Sequence, residues 1–198
     1  MYGQKPHCRP RMTAQKARAR QTTNSSQTDA AALDRQHAVL AANHSNICLL
    51  GQPGTGKTHL AISLAAAACR QGHSVRFFTA AALVNLLEEK QKAYLLDRFL
   101  TQLDRTDLLI VDELGYLSFS RGGAELLFQV FADRYERRSL LLTSNLAFSD
   151  WGQIFQGERM TAALLDRLTH HCEIFEMNSE SFRFRESMKE QKKSRKQI

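Results

Sequence analysis

Residues 51–58 read GQPGTGKT, which sets Gly51, Gly56, Lys57 and Thr58 at the spacing G-x-x-x-x-G-K-T. Glycines at these positions let successive backbone N–H groups turn inward as a cradle for phosphate oxygens. A lysine closing such a loop reaches the β- and γ-phosphates of a nucleoside triphosphate, and the hydroxyl after it can ligate Mg²⁺. Gln52, Pro53, Gly54, Thr55 and His59 complete the loop and the turn beyond it, with Pro53 stiffening the bend. The flanks are what the motif requires. The apolar run NICLL ends at Gly51, and an Ala/Leu-rich run opens at Lys57. A helix starting there adds the positive end of its dipole to the cradle.

A second constellation lies in LLIVDELGYL, residues 108–117. Asp112 can hold Mg²⁺ through its water shell, and Glu113 can orient or deprotonate a water that attacks the γ-phosphate. Alone, the two acids read equally well as caps of the next turn. Beside a phosphate loop they favour hydrolysis over transfer to a small molecule, because they place a base for water next to the metal. The competing reading is a metabolic P-loop kinase, which needs a substrate pocket and no arginine from a neighbouring chain. Another apolar run, LLLTSN, ends in Thr143, Ser144 and Asn145. That tip either reaches the γ-phosphate or attacking water, or caps a turn. Arg167 and Arg183 either offer guanidinium groups to phosphate oxygens or form surface ion pairs, with Asp166 and Glu186 close in sequence. His170 and His171 stand at a helix end, where they complement the dipole or ligate a metal. Tyr116, Trp151 and Phe155 read as packing residues.

The elements that must position these groups alternate along the chain. The sequence predicts strands in NICLLG, HSVRFFT, DLLIVDE, SLLLTSN and CEIFEM. It predicts helices in AALDRQHAVLAA, from Lys57 to about Gln71, in AALVNLLEEKQKAYLLDRFLTQL, in AELLFQVFADRYERR and in GERMTAALLDRLTHH. The strands are continuous apolar runs, the pattern of a parallel sheet covered on both faces. The expected fold is therefore α/β, a P-loop NTPase of three layers α/β/α with a parallel five-stranded sheet, and the ligand belongs at the carboxyl ends of the strands.

The chain has 198 residues, enough for one domain, and 43% hydrophobic content supplies its core. No apolar run approaches the ~20 residues that span a bilayer, and no secretory signal opens the chain. The four cysteines make no CxxC pair, and the reading is of buried reduced thiols in a cytoplasmic protein. The net charge of +7 is unevenly placed. Residues 1–30 carry six Lys/Arg against one acid, and residues 183–198 carry seven against two. These ends read as basic tails that either contact nucleic-acid phosphates or are simply solvated. The body, 31–182, is slightly acidic and reads as the ATPase domain.

Three strings carry a family resemblance. LLGQPGTGKTHLAISLAAAAC, DLLIVDELGYLSFSRGGAELLFQVFADRYERRSLLLTSNLAFSDW and ERMTAALLDRLTHHCEIFEMNSESFRFRES closely resemble the IstB transposition-helper ATPases. These are grouped with DnaC-type helicase loaders in the AAA+ class. The resemblance covers about Ala31 to Ser187 and implies ATP and Mg²⁺ as ligands. It implies Lys57 and Thr58 as Walker A, Asp112 and Glu113 as Walker B, and Asn145 as sensor 1. It further implies Arg167 as the arginine finger offered to the neighbouring subunit's ATP, and Arg183 as sensor 2. A homo-oligomer assembling on duplex DNA with ATP and engaging a transposase is the function it implies. A helicase loader of DnaC type is the near alternative. Family members carry an N-terminal helical domain, which the residues before Ala31 do not match. A nucleotide-binding remnant without helper activity is therefore a further reading.

Overall fold

The computed structural model describes residues 45–177 and Ser181. The segments 1–30 and 183–198, the helix expected over 31–42, and Arg183 lie outside the described residues. The described chain runs β1 (Asn46–Leu50), α1 (Lys57–Arg70), β2 (Val75–Thr79), α2 (Ala80–Lys92) and α3 (Leu96–Asp104). It continues with β3 (Leu108–Leu114), α4 (Arg121–Arg134), β4 (Ser139–Ser144), a 3-10 turn (Phe148–Asp150), α5 (Gly152–Phe155), α6 (Glu158–His170) and β5 (Cys172–Glu176). The strands pair in parallel in the order β2-β3-β4-β1-β5. β4 thus separates the strand that feeds the phosphate loop from the strand that carries Asp112.

The alternation of side chains along each strand divides the core between two faces. Ile47, Leu49, Ile110 and Leu141 meet Ala61, Leu64 and Ala68 of α1. Cys48, Leu50, Leu109, Val111 and Leu142 share the other face with residues of α2, α4 and α6, including Leu87, Leu127 and Leu168. Both faces of β1, β3 and β4 are covered, which is why these strands carry long apolar runs, whereas the edge strand β5 is largely exposed, with Ile174 and Phe175 on the surface. The expected three-layer α/β/α arrangement with a five-stranded parallel sheet is the one observed. Among the described residues no helix is long and apolar enough to cross a membrane.

The structure departs from the sequence reading in particular places. The helix expected over 81–103 is two helices, α2 and α3. α2 ends in a Schellman motif: the Leu95 N–H donates to the Lys90 carbonyl at 2.8 Å and the Tyr94 N–H to Gln91 at 3.1 Å. Tyr94 occupies the left-handed position, φ +57°, that glycine usually takes. α4 starts earlier than expected because Ser120 caps it, accepting from the Gly123 N–H at 2.9 Å. Gly123 lets α4 approach α2, since a Cβ there would overlap Val84 and Glu88. Trp151 and Phe155 are fully buried, as expected. Tyr116 does not pack; it is 68% exposed because the turn after β3 carries it away from the sheet. Of the cysteines, Cys48 is buried but Cys69 is exposed, on the outer side of the last turn of α1.

One buried cation clamps the amino ends of the strands. Arg134, 3% exposed, donates to the carbonyls of Leu103, Thr106 and Ser139 at 2.8–2.9 Å and to that of Asp107 at 3.3 Å. Burial pushes its pKa down to about 10, against the pull of Asp104 and Asp107, so it is protonated at neutral pH. Replacing it by Met keeps the apolar volume but strands these carbonyls. Arg134→Met is expected to lower unfolding free energy by about 3 kcal/mol or more in urea titrations.

Candidate nucleotide site

The phosphate loop leaves the sheet between the tips of β4 and β5. The Gly51 N–H donates to the Ser144 carbonyl at 3.1 Å, and the Met177 N–H donates to the Leu50 carbonyl at 2.7 Å. Gly51 has φ +145°, and a Cβ there would overlap the Met177 carbonyl, so only glycine fits. Thr55 is buried and donates its hydroxyl to the Gln52 carbonyl at 2.9 Å, closing the loop on itself. Gln52 and Pro53 are exposed at its crest. Gly56, left-handed, is the N-cap of α1, and no side chain caps the first turn. Its N–H groups are thus free of side-chain acceptors where a phosphate would lie. His59 sits exposed on that turn. Ser181 lies against Gly54, where a Cβ would overlap it, so the chain returns to the loop two residues before Arg183.

Lys57 folds back over the loop. Its Nζ donates to the Gly51 carbonyl at 2.6 Å and to Gln52 at 2.9 Å. Burial lowers its pKa from the usual lysine value, and the Asp112 carboxylate opposes that shift. The ammonium is thus held on the loop and feels the charge of the acid at the end of β3.

Asp112 is 3% exposed and is held by two hydroxyls. Thr58 donates to its Oδ1 at 3.1 Å, and Thr143 donates to the same oxygen. Thr143 in turn accepts from the Glu113 N–H at 3.0 Å. The β3–β4 register shifts between Val111 and Leu114, a bulge with Glu113 at φ +61°. Bulges re-aim side chains. Here Asp112 is turned inward and Glu113 outward to solvent at the same strand edge. Ser144 pins the far side of the bulge, donating its hydroxyl to the Leu114 carbonyl at 2.7 Å.

The structure brings together Gly51 to Thr58, Asp112 and Glu113 at the carboxyl edge of the sheet, with half-buried Asn145 as the first residue beyond β4. It does not bring Arg167 to them. Arg167 is exposed near the end of α6, in a groove with Asn46, Tyr135 and Leu140 at the opposite edge. Four residue steps of β1 separate the two edges, on the order of 13 Å. The sequence reading selects Asn145 from the TSN tip, whereas the contacts to the acids come from Thr143. A hydroxyl following three leucines was a visible signal, but its partner depends on a register that sequence does not state.

The model for the IstB-like ATP binding proteins matches residues 13–190. The chain belongs to this family. The match begins before Ala31, within the segment read as a basic tail. An ATP-binding protein named for insertion sequence IS5376 of Geobacillus stearothermophilus is 43% identical over 152 residues, covering 77% of this chain and 61% of that protein. One named for insertion sequence IS21 of Pseudomonas aeruginosa is 43% identical over 144 residues, covering 73% of this chain and 54% of its own length. The chain therefore spans somewhat over half the length of these relatives. Among solved structures, the DnaC helicase loader has TM-score 0.58 at 22% identity, covering 80% of this chain and 94% of that one. The replication initiator DnaA, bound to AMPPCP and single-stranded DNA, has TM-score 0.63 at 21% identity, covering 85% and 52%. These likenesses establish the P-loop AAA+ fold.

Thr143 is the residue whose removal tests the hydroxyl network. Thr143→Val leaves the Glu113 N–H and the Asp112 carboxylate each one partner short. The expected cost is about 1–3 kcal/mol in denaturant titrations, with Thr143→Ser near the parent.

Proposed function

We propose that this chain is an ATP-hydrolysing helper of DNA transposition, which assembles as a homo-oligomer on duplex DNA with ATP and acts with a transposase. The observation that supports this most is the meeting, in an IstB-like chain, of the Lys57 loop with an Asp112 held by Thr58 and Thr143. Thr58 and Asp112 fit a hard divalent cation, being a hydroxyl and a carboxylate already in hydrogen-bond contact. Mg²⁺ held by them would neutralise charge on the β- and γ-phosphates. Lys57 exchanges its bonds to the Gly51 and Gln52 carbonyls for phosphate oxygens as the nucleotide enters. The uncapped first turn of α1 receives the phosphates. Glu113, solvent-facing beside Asp112, takes a proton from water as the water oxygen attacks the γ-phosphorus. The bond from that phosphorus to the β–γ bridging oxygen breaks, and ADP and phosphate leave. Asn145 orients the water or the γ-phosphate from the tip of β4.

Arg167 has a role that its own loop cannot give it. It is exposed and stands a sheet-length from Lys57, a position that suits a guanidinium serving a neighbouring chain's nucleotide. ATP between two subunits then stabilises the oligomer, and hydrolysis loosens it. Arg183, two residues beyond the contact of Ser181 with Gly54, is assigned to the chain's own γ-phosphate. The basic ends, 1–30 and 183–198, are the DNA-contacting candidates, since the body carries a slight acidic excess.

Two variants separate binding from turnover. Lys57→Ala is expected to abolish binding of a fluorescent ATP analogue. Glu113→Gln is expected to retain binding while hydrolysis slows by roughly 10²-fold or more. Hydrolysis by Glu113→Gln at the parent rate would remove Glu113 as the base. Assembly is read by light scattering on duplex DNA with ATP, with ADP and without nucleotide. ATP-dependent growth that Arg167→Ala abolishes supports the helper. A monomer under every condition overturns the assembly reading. Capture of a replicative helicase in place of the transposase transfers the chain to helicase loading.

A further inference from the structure

The amino edge of the sheet carries a second cluster of reactive side chains, remote from the nucleotide loop. Glu136 lies in the turn between α4 and β4, His170 is the last residue of α6, and His171 leads into β5. One ligand atom from each lies within 4.8 Å of the others, and all three side chains are exposed. His170 Nδ1 is 3.7 Å from Glu136 Oε1, and the two imidazole rings meet edge to face with centroids 4.2 Å apart.

The backbone holds these groups in place before any ion arrives. Glu136 has φ +56° in a turn fixed by the Arg137 and Arg138 N–H groups, each donating to the Arg134 carbonyl at 3.0 Å. Arg134 is itself buried and clamped. His171 leaves the helix at φ −132°, ψ 61°, which lets its ring converge on that of His170, and its carbonyl accepts from the Asn46 N–H at 2.8 Å. Three ligands thus come from two chain segments, each tied to the sheet.

We propose that Glu136, His170 and His171 form a zinc-binding site. Two neutral imidazoles and one carboxylate are borderline ligands that select zinc over the all-oxygen ions Mg²⁺ and Ca²⁺. Tetrahedral zinc with bonds near 2.0 Å sets its ligand atoms about 3.3 Å apart. Exposed side chains reach that spacing from 3.7–4.8 Å by small rotations. Water takes the fourth position. The Tyr135 hydroxyl lies 3.0 Å from His170 Nδ1 and is the competitor for that nitrogen. It contributes one neutral hydrogen bond, which is weaker than a zinc–imidazole bond and leaves the hydroxyl beside the ion. The ion would cross-link the α4–β4 turn to the end of α6. Arg167, one helical turn earlier, would then have a second positive charge nearby.

The test is a Zn²⁺ titration of the whole chain against a chromophoric chelator, without nucleotide or DNA. Its outcome is therefore independent of the proposed helper activity. The parent is expected to bind one Zn²⁺ per chain with micromolar affinity. His171→Ala and Glu136→Gln are each expected to weaken this site by at least about tenfold. His73→Ala, outside the cluster, keeps the parent affinity. Zn²⁺ raises the melting temperature of the parent but not of the two site variants, and Co²⁺ in its place gives the visible absorption of a tetrahedral ion. Equal affinity in the parent and both site variants would assign the metal to other thiols or imidazoles and overturn the proposal. So would no binding by the parent at about 1 mM Zn²⁺.

Discussion

A buried carboxylate must find partners, and the geometry of this sheet edge follows from how Asp112 finds them. Leaving an ionised acid unpaired at that depth costs several kcal/mol. Asp112 instead accepts from the hydroxyls of Thr58 and Thr143, which arrive from the start of α1 and the end of β4. Three segments far apart in sequence are joined through one oxygen atom. The strand order makes this economical, since β4 lies between β1 and β3 and its tip is within reach of both.

The same contacts separate the two neighbouring acids. In a regular strand, side chains at consecutive positions alternate between faces, and both faces of β3 are covered. A regular continuation would direct one of the pair into an apolar layer. The bulge at Glu113 removes that conflict by a left-handed residue, and the Thr143 hydroxyl satisfies the N–H that the bulge takes out of the ladder. One acid is then shielded and partnered. The other is exposed to solvent.

The strands, their parallel arrangement and the phosphate loop were legible in sequence because each depends on local chemistry. Apolar runs ending in Gly51 and Asp112 declare strands, and a glycine-rich turn before Lys57 declares the loop. What was hidden depends on contacts across the chain. Nothing in AALVNLLEEKQKAYLLDRFLTQL marks a break, because the residue that takes the left-handed position is a tyrosine and not a glycine. The sequence reading starts this helix at Ala124, yet RGG opens α4, and Gly123 is required there by the approach of α2. Thr143 could be seen, but its role depends on register. The cluster of Glu136 with His170 and His171 spans two elements, and only the histidine half stands out in sequence.

The clamp formed by Arg134 lies at the amino ends of strands whose carboxyl ends hold the phosphate loop. Asn46 reinforces it, donating to the Leu168 carbonyl at 3.2 Å and accepting from the Leu140 N–H at 3.2 Å. Much of the sheet's polar anchoring is thus remote from Lys57 and Glu113. A copy that lost turnover through a change at Glu113, while keeping its phosphate loop, would keep its shape and still display Arg167. In the proposed assembly such a copy would not drop out. It would join active subunits and arrest them, so a damaged allele would act as an inhibitor and not as a null.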